Sequence, residues 1–173
     1  VVVINHHLFF ADLAVRDSGM AELLPTVRVV IFDEAHQLNG TGVQFLGAQL
    51  GTAQIIDLAR DILATGMLLA RGLCEWRDLA SDLEQAARDL RLSVGKHASG
   101  TKLRWVNTVP ENVDEHTWFE ALQSITASCE KLIIALNMVS ELGPDFVRLL
   151  ERCNQLQERT ELFKMPKKVN TVR

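Results

Sequence analysis

Apolar residues follow two kinds of pattern along this chain. Near its start they form short continuous runs, Val1 to Ile4 and Val27 to Phe32, the second broken only by Arg28. Runs of that length are either strands buried on both faces or pieces of buried helix, and their β-branched residues favour strand. Between them Leu8, Phe9, Phe10, Leu13 and Ala14, with Asp12 and Arg16 interspersed, predict a short amphipathic helix that Asp17-Ser18-Gly19 ends. Pro25 marks the boundary before the second run. Strand, helix and strand in this order predict a parallel βαβ crossover. A two-strand piece leaves sheet edges uncovered, so those edges are expected to pair, for instance with a second copy in a dimer.

After His36 the pattern changes period. Leu38 to Gly42 reads as loop, and from about Thr52 apolar positions recur at helical spacing almost to the end. Gly51-Thr52 offers an N-cap for a helix whose face is Ile55, Leu58, Ala59, Ile62 and Leu63, and Gly72 breaks it. Trp76, Leu79, Leu83, Ala86 and Leu90 then step by threes and fours with charged residues elsewhere on the wheel. Ser93 to Pro110, punctuated by Gly95, Gly100 and Pro110, is the least helical stretch, and Leu103 to Val106 is a short strand or a loop anchor. Asp114 to Leu142 is the strongest helix, with the seam Trp118, Leu122, Ile125, Cys129, Leu132, Leu136 and Val139. Gly143-Pro144 starts the last helix, and its stripe from Phe146 to Phe163 predicts an antiparallel hairpin with the one before. Met165 to Arg173 is a basic tail. The expected fold is mostly α: four main helices in antiparallel hairpins beside a small parallel β piece.

Composition narrows the function classes. A hydrophobic fraction of 47% and a charged fraction of 23% over 173 residues are ordinary for a soluble globular chain, so disorder is not expected. The formal net charge of -4 lacks the basic excess of an autonomous nucleic-acid-binding domain, which confines any nucleic-acid contact to local patches. One such patch is Lys96, His97, Lys102, Arg104 and Trp105. Basic residues beside an aromatic can grip single strands by phosphate contact and base stacking, and the plainer alternative is a solvated loop pinned by a buried tryptophan. Three widely spaced cysteines, Cys74, Cys129 and Cys153, form neither a disulfide framework nor a cluster site and fit a reducing cytoplasm. No run approaches bilayer-spanning length, so no membrane association is expected. A start on VVVIN without methionine reads as a segment of something longer.

The chemistry concentrates where the second apolar run ends. Asp33 and Glu34 follow Phe32 without a spacer, at the carboxyl end of a predicted strand, where open α/β sheets bind ligands. Two adjacent acids there suit phosphoryl transfer with magnesium, Asp33 holding the hydrated metal and Glu34 polarising the attacking water. The alternative is a helix start whose acids favour the N-terminal dipole. Asn5, His6 and His7 end the first run, but without a third ligand at workable spacing they make a poor metal site.

Asp33-Glu34-Ala35-His36 after a hydrophobic run resembles the Walker B motif, or DEAH box, of superfamily 2 helicases. With VVVINHHLFFADL upstream at Val1 to Leu13, the chain is similar to the XPD-like DNA helicases of the bacterial DinG/YoaA type, nearest the YoaA branch. The specific resemblance covers roughly the first quarter of the chain. It implies that residues 1–38 are the C-terminal part of a RecA-like first motor domain and 39–173 a helical arch insertion domain. It implies a parent that is an ATP-dependent 5′ to 3′ DNA helicase serving DNA repair or replication stress, acting on single-stranded or forked DNA, with ATP, Mg2+ and a 4Fe-4S cluster whose ligands lie outside this chain. Asp33 would bind magnesium through water, Glu34 would be the catalytic base, and His36 would couple nucleotide state to the DNA-binding face. A P-loop is missing, since the lone Gly95-Lys96 is followed by His97. The chain alone is therefore expected neither to hydrolyse ATP nor to unwind DNA. The rival reading is a non-catalytic helical module that recruits a protein partner through the seam from Trp118 to Val139.

Overall fold

The computed structural model describes residues 1–17, 23–98, 100–106 and 108–165. Six α-helices are described: α1 His6–Asp17, α2 Leu38–Leu46, α3 Thr52–Leu69, α4 Trp76–Ser93, α5 Glu115–Val139 and α6 Pro144–Lys164. Two strands, β1 Trp105–Val106 and β2 Val109–Pro110, pair antiparallel with Trp105 opposite Pro110 and Val106 opposite Val109. The chain divides into two compact units, Val1–Gln49 and the residues from Leu50 onward.

The second unit is a four-helix bundle. Gly72, with φ of 82°, turns the chain between α3 and α4, and a short 3-10 turn Ser140–Leu142 followed by Gly143 turns it between α5 and α6. Neighbours run antiparallel: Lys131 of α5 reaches Asp82 of α4 at 2.7 Å, and Arg152 of α6 reaches Asp61 of α3 at 2.6 Å, closing the ring. The stripes read from the sequence form the core, with Ile62, Leu83, Leu122, Ile125, Leu132, Leu136 and Phe146 fully buried. Each such side chain contributes roughly 1.5–3 kcal/mol on leaving water. Asp114 caps α5 by accepting from the Thr117 N–H at 2.8 Å and the Thr117 hydroxyl at 2.7 Å. Pro144 supplies a first turn that needs no amide donor. At one end Trp105 of β1 sets its ring edge-on to Trp118 (5.7 Å) and Phe163 (6.1 Å), so the long α4–α5 connection is pinned to the bundle.

The first unit departs from the expected parallel β piece. Neither Val1–Ile4 nor Val27–Phe32 is a strand, and the one sheet among the described residues is the antiparallel β1–β2 pair. The physical reason is solvent: Val29 and Ile31 are 75% and 90% exposed, and Val1 to Val3 are exposed as well. A parallel pair is stable only with both faces covered, and nothing among the described residues covers these. Without strands at Val1–Ile4 and Val27–Phe32, these segments offer no sheet edge for a dimer to pair. Leu38 to Gly42, expected as loop, instead forms the first part of α2, Leu38–Leu46. Its Gly42 abuts the Phe10 ring, where a Cβ would lie 3.2 Å from two ring carbons, and Phe45 meets His7 edge-on at 5.8 Å, so packing against α1 overrides two glycines. The expected stop at Ser18-Gly19 and the tail beyond Met165, with Lys167, Lys168 and Arg173, lie outside the described residues.

Candidate functional site

The acidic pair is open to solvent and held in a defined backbone shape. Phe32 packs edge-on against Phe9 of α1 at 5.0 Å and lies 6.2 Å from the His6 ring, which fixes the residue just before Asp33. Asp33 Oδ1 accepts the Glu34 N–H at 2.9 Å. Glu34 has φ 49° and ψ 45°, the left-handed region, and its carbonyl accepts the Gln37 N–H at 2.9 Å to close a 3-10 turn Ala35–Gln37. A non-glycine residue there costs on the order of 1–3 kcal/mol, a strain found preferentially at functional sites. Glu34 Oε2 meets His36 Nδ1 at 3.1 Å with both side chains mostly exposed, so the pair adds little stability and leaves both groups available. Asp33, Glu34 and His36 therefore stand together on one exposed turn.

The donor set suits a hydrated magnesium ion. Magnesium takes one or two carboxylates and fills the rest of its octahedron with water and substrate phosphate. Asp33 presents its second oxygen, and Glu34 lies beside it. Among the described residues no group of three or more His, Cys, Asp or Glu could hold a metal alone, so a bound phosphate would have to complete the shell. An iron-sulfur cluster does not fit these residues. Cys129 and Cys153 lie in the bundle core, where the facing Cys153 thiol and burial push the Cys129 thiol well above its ordinary value, and Cys74 is half-buried elsewhere.

Asn5, His6 and His7 open α1. Asn5 Oδ1 accepts the Leu8 N–H at 2.8 Å, an N-cap bond, and the two imidazoles contact Phe32 and Phe45 respectively. Sequence reasoning missed Asp12. It is 4% exposed, and its carboxylate accepts Arg16 Nε at 2.6 Å, the Leu23 N–H at 2.7 Å and the Leu24 N–H at 2.9 Å. Burial alone would raise its pKa, but the Arg16 guanidinium and the two amides outweigh that and hold the carboxyl below its usual range. The available signal was the Asp12–Arg16 spacing of four, which on a helix pairs the two side chains.

In the second unit Lys96, Lys102 and Arg104 are exposed, whereas Trp105 is half-buried with its ring engaged by Trp118 and Phe163. The structure thus keeps the cations open and spends the aromatic face largely on packing. The seam from Trp118 to Val139 faces the bundle core, with Leu122, Ile125, Cys129, Leu132 and Leu136 fully buried, so it is not a surface for a partner. No helix is long and apolar enough to cross a membrane among the described residues.

An exposed acidic turn of sequence DEAH precedes a helical unit in the chain, and comparison with known proteins finds it similar to a part of DinG/YoaA-type DNA helicases. It is 40% identical over 111 residues to the ATP-dependent DNA helicase YoaA of Escherichia coli (strain K12), covering 64% of this chain and 18% of that protein. It is 34% identical over 162 residues to the ATP-dependent DNA helicase YoaA of Haemophilus influenzae (strain ATCC 51907 / DSM 11121 / KW20 / Rd), covering 93% of this chain and 25% of that protein. The chain thus spans a quarter or less of the length of these curated relatives. No family model and no solved structure matches it.

Proposed function

We propose that this chain is the portion of an ATP-dependent 5′ to 3′ DNA helicase that carries the Walker B turn and the helical arch. The observation that carries the reading is the similarity over 93% of the chain to a helicase, coinciding with an open turn that presents Asp33, Glu34 and His36 together. Residues 1–38 are assigned to the C-terminal part of the first RecA-like motor domain and 39–173 to the helical arch, a reading supported by the separation of the chain into compact units Val1–Gln49 and Leu50 onward. Asp33 would hold a hydrated Mg2+, which would supply charge neutralisation at the phosphates, Glu34 would accept the proton of the attacking water, and His36 would pass nucleotide state toward the DNA-binding face. The iron-sulfur cluster belongs to parts of the helicase outside this chain. The arch frames the path of one DNA strand, and Lys96, Lys102 and Arg104 touch its phosphates; Trp105 anchors their loop. The cellular role assigned is DNA repair or replication stress.

A phosphate cradle is absent from the sequence, so the chain alone should be inactive while the complete helicase is not. The test compares DNA-stimulated ATP hydrolysis and strand separation by the two. Activity in the complete protein alone supports the assignment. Hydrolysis by the isolated chain, or none by the complete helicase, overturns it.

A further inference from the structure

Helix α1 divides its surface between two neighbours. His7 and Phe10 face α2, through Phe45 and Gly42. His6, Phe9, Asp12 and Arg16, spaced three or four residues apart, fall on a different stripe. Besides the Asp12–Arg16 pair within it, that stripe reaches the segment leading into the acidic turn. Asp12 takes the two amides that begin the segment, Leu23 and Leu24, and Arg16 donates its guanidinium to the Leu24 carbonyl at 2.6 Å. Phe9 and His6 take Phe32, which ends it. Between these points Thr26 to Ile31 are exposed.

We propose that α1 is a two-point clamp for the acidic turn, with Asp12 as the positioning residue at one end and Phe9 at the other. The inference rests on the ATPase role proposed above for Asp33 and Glu34. Phosphoryl transfer depends on positioning and electrostatics, and a misplacement of about 1 Å can cost about a hundredfold in rate. These side chains hold both ends of the segment bearing the two acids against α1. Asp12 is suited to the task because its ionised carboxylate serves three donors at once, which a neutral amide cannot do: an Asn in its place retains one acceptor oxygen and turns an NH2 group toward Arg16.

The test is steady-state ATP hydrolysis by the complete helicase carrying Asp12→Asn or Phe9→Leu, with DNA saturating. Asp12→Asn is expected to lower kcat by about 10- to 100-fold while KM for ATP stays within about twofold, the split that marks a lost transition-state alignment. Phe9→Leu leaves the carboxylate grip intact and shows the same split with a smaller fall in kcat. Circular dichroism checks folding, and if Asp12→Asn does not fold, Phe9→Leu decides the matter. Folded variants that melt earlier yet keep the wild-type kcat make Asp12 and Phe9 ordinary structural residues and overturn the clamp. A wild-type helicase without ATPase activity defeats the underlying reading first, a result separate from any effect of the variants.

Discussion

Gly66 tests the packing of the bundle because two ordinary effects act on it in opposite directions. It lies inside α3, where replacing glycine by alanine normally stabilises a helix by about 1 kcal/mol. Here a Cβ would overlap Cγ, Cδ2 and Cε2 of the Trp76 indole. That ring is 1% exposed, donates Nε1–H to the Ala70 carbonyl at 2.9 Å and stacks on Phe146 at 6.1 Å, so it has no free direction in which to yield. Overpacking of this kind costs about 1–3 kcal/mol, and loss of the indole hydrogen bond adds about 1 kcal/mol. Set against the helix gain, Gly66→Ala should destabilise the bundle by about 1–3 kcal/mol. Urea denaturation followed by far-UV circular dichroism reads this directly, as a lower midpoint at unchanged slope. A variant as stable as the parent, or more so, would show that Trp76 does not sit against Gly66 and would refute the packing described for α3 and α4.

Other consequences follow from the same geometry. Gly40→Ala, in an exposed turn of α2 with nothing within 4 Å of the added methyl, should stabilise the first unit by about 0.5–1 kcal/mol in a thermal melt. The carboxyls of Asp12, Asp114 and Glu161 are held below their ordinary values, Asp114 by the Thr117 amide and hydroxyl and Glu161 chiefly by the Lys164 ammonium. Depressed carboxyls bind fewer protons folded than unfolded, so their contribution is complete above the unfolded value of about 4 and is lost as pH falls through the lower folded values. Melting temperature should therefore hold from neutral pH to about 4 and fall below it, and Asp114→Asn should shrink that fall. Cys129 and Cys153, both fully buried, should react with a thiol reagent only on unfolding while half-buried Cys74 reacts sooner; equal rates for all three would contradict the core.

Legibility in the sequence tracked how far each element is stabilised by residues within this chain. The stripes of α3 to α6 could be read because each helix buries its own periodic face against its neighbours, as Leu83, Leu122, Leu132 and Phe146 do. The run Val27 to Phe32 has strand composition, but a strand needs partners for its amides and cover for both faces, and these are not among the described residues. Composition alone could not reveal that dependence. Helix α2 was hidden by Gly40 and Gly42, whose low propensity yields to contact with Phe10. At the site, the Asp33, Glu34 and His36 grouping was readable from the motif. The left-handed Glu34 and the Asp12 grip were not, because both depend on backbone groups that become neighbours only on folding.

The central claim is that Asp33 and Glu34 serve a magnesium-nucleotide centre. Its most direct test is phosphate release by the complete helicase bearing Glu34→Gln, with ATP binding measured on the same sample. Exchanging the carboxylate for its neutral isostere removes the proton acceptor and preserves shape. Turnover should fall at least about a hundredfold while ATP still binds. Turnover equal to wild type would contradict the account.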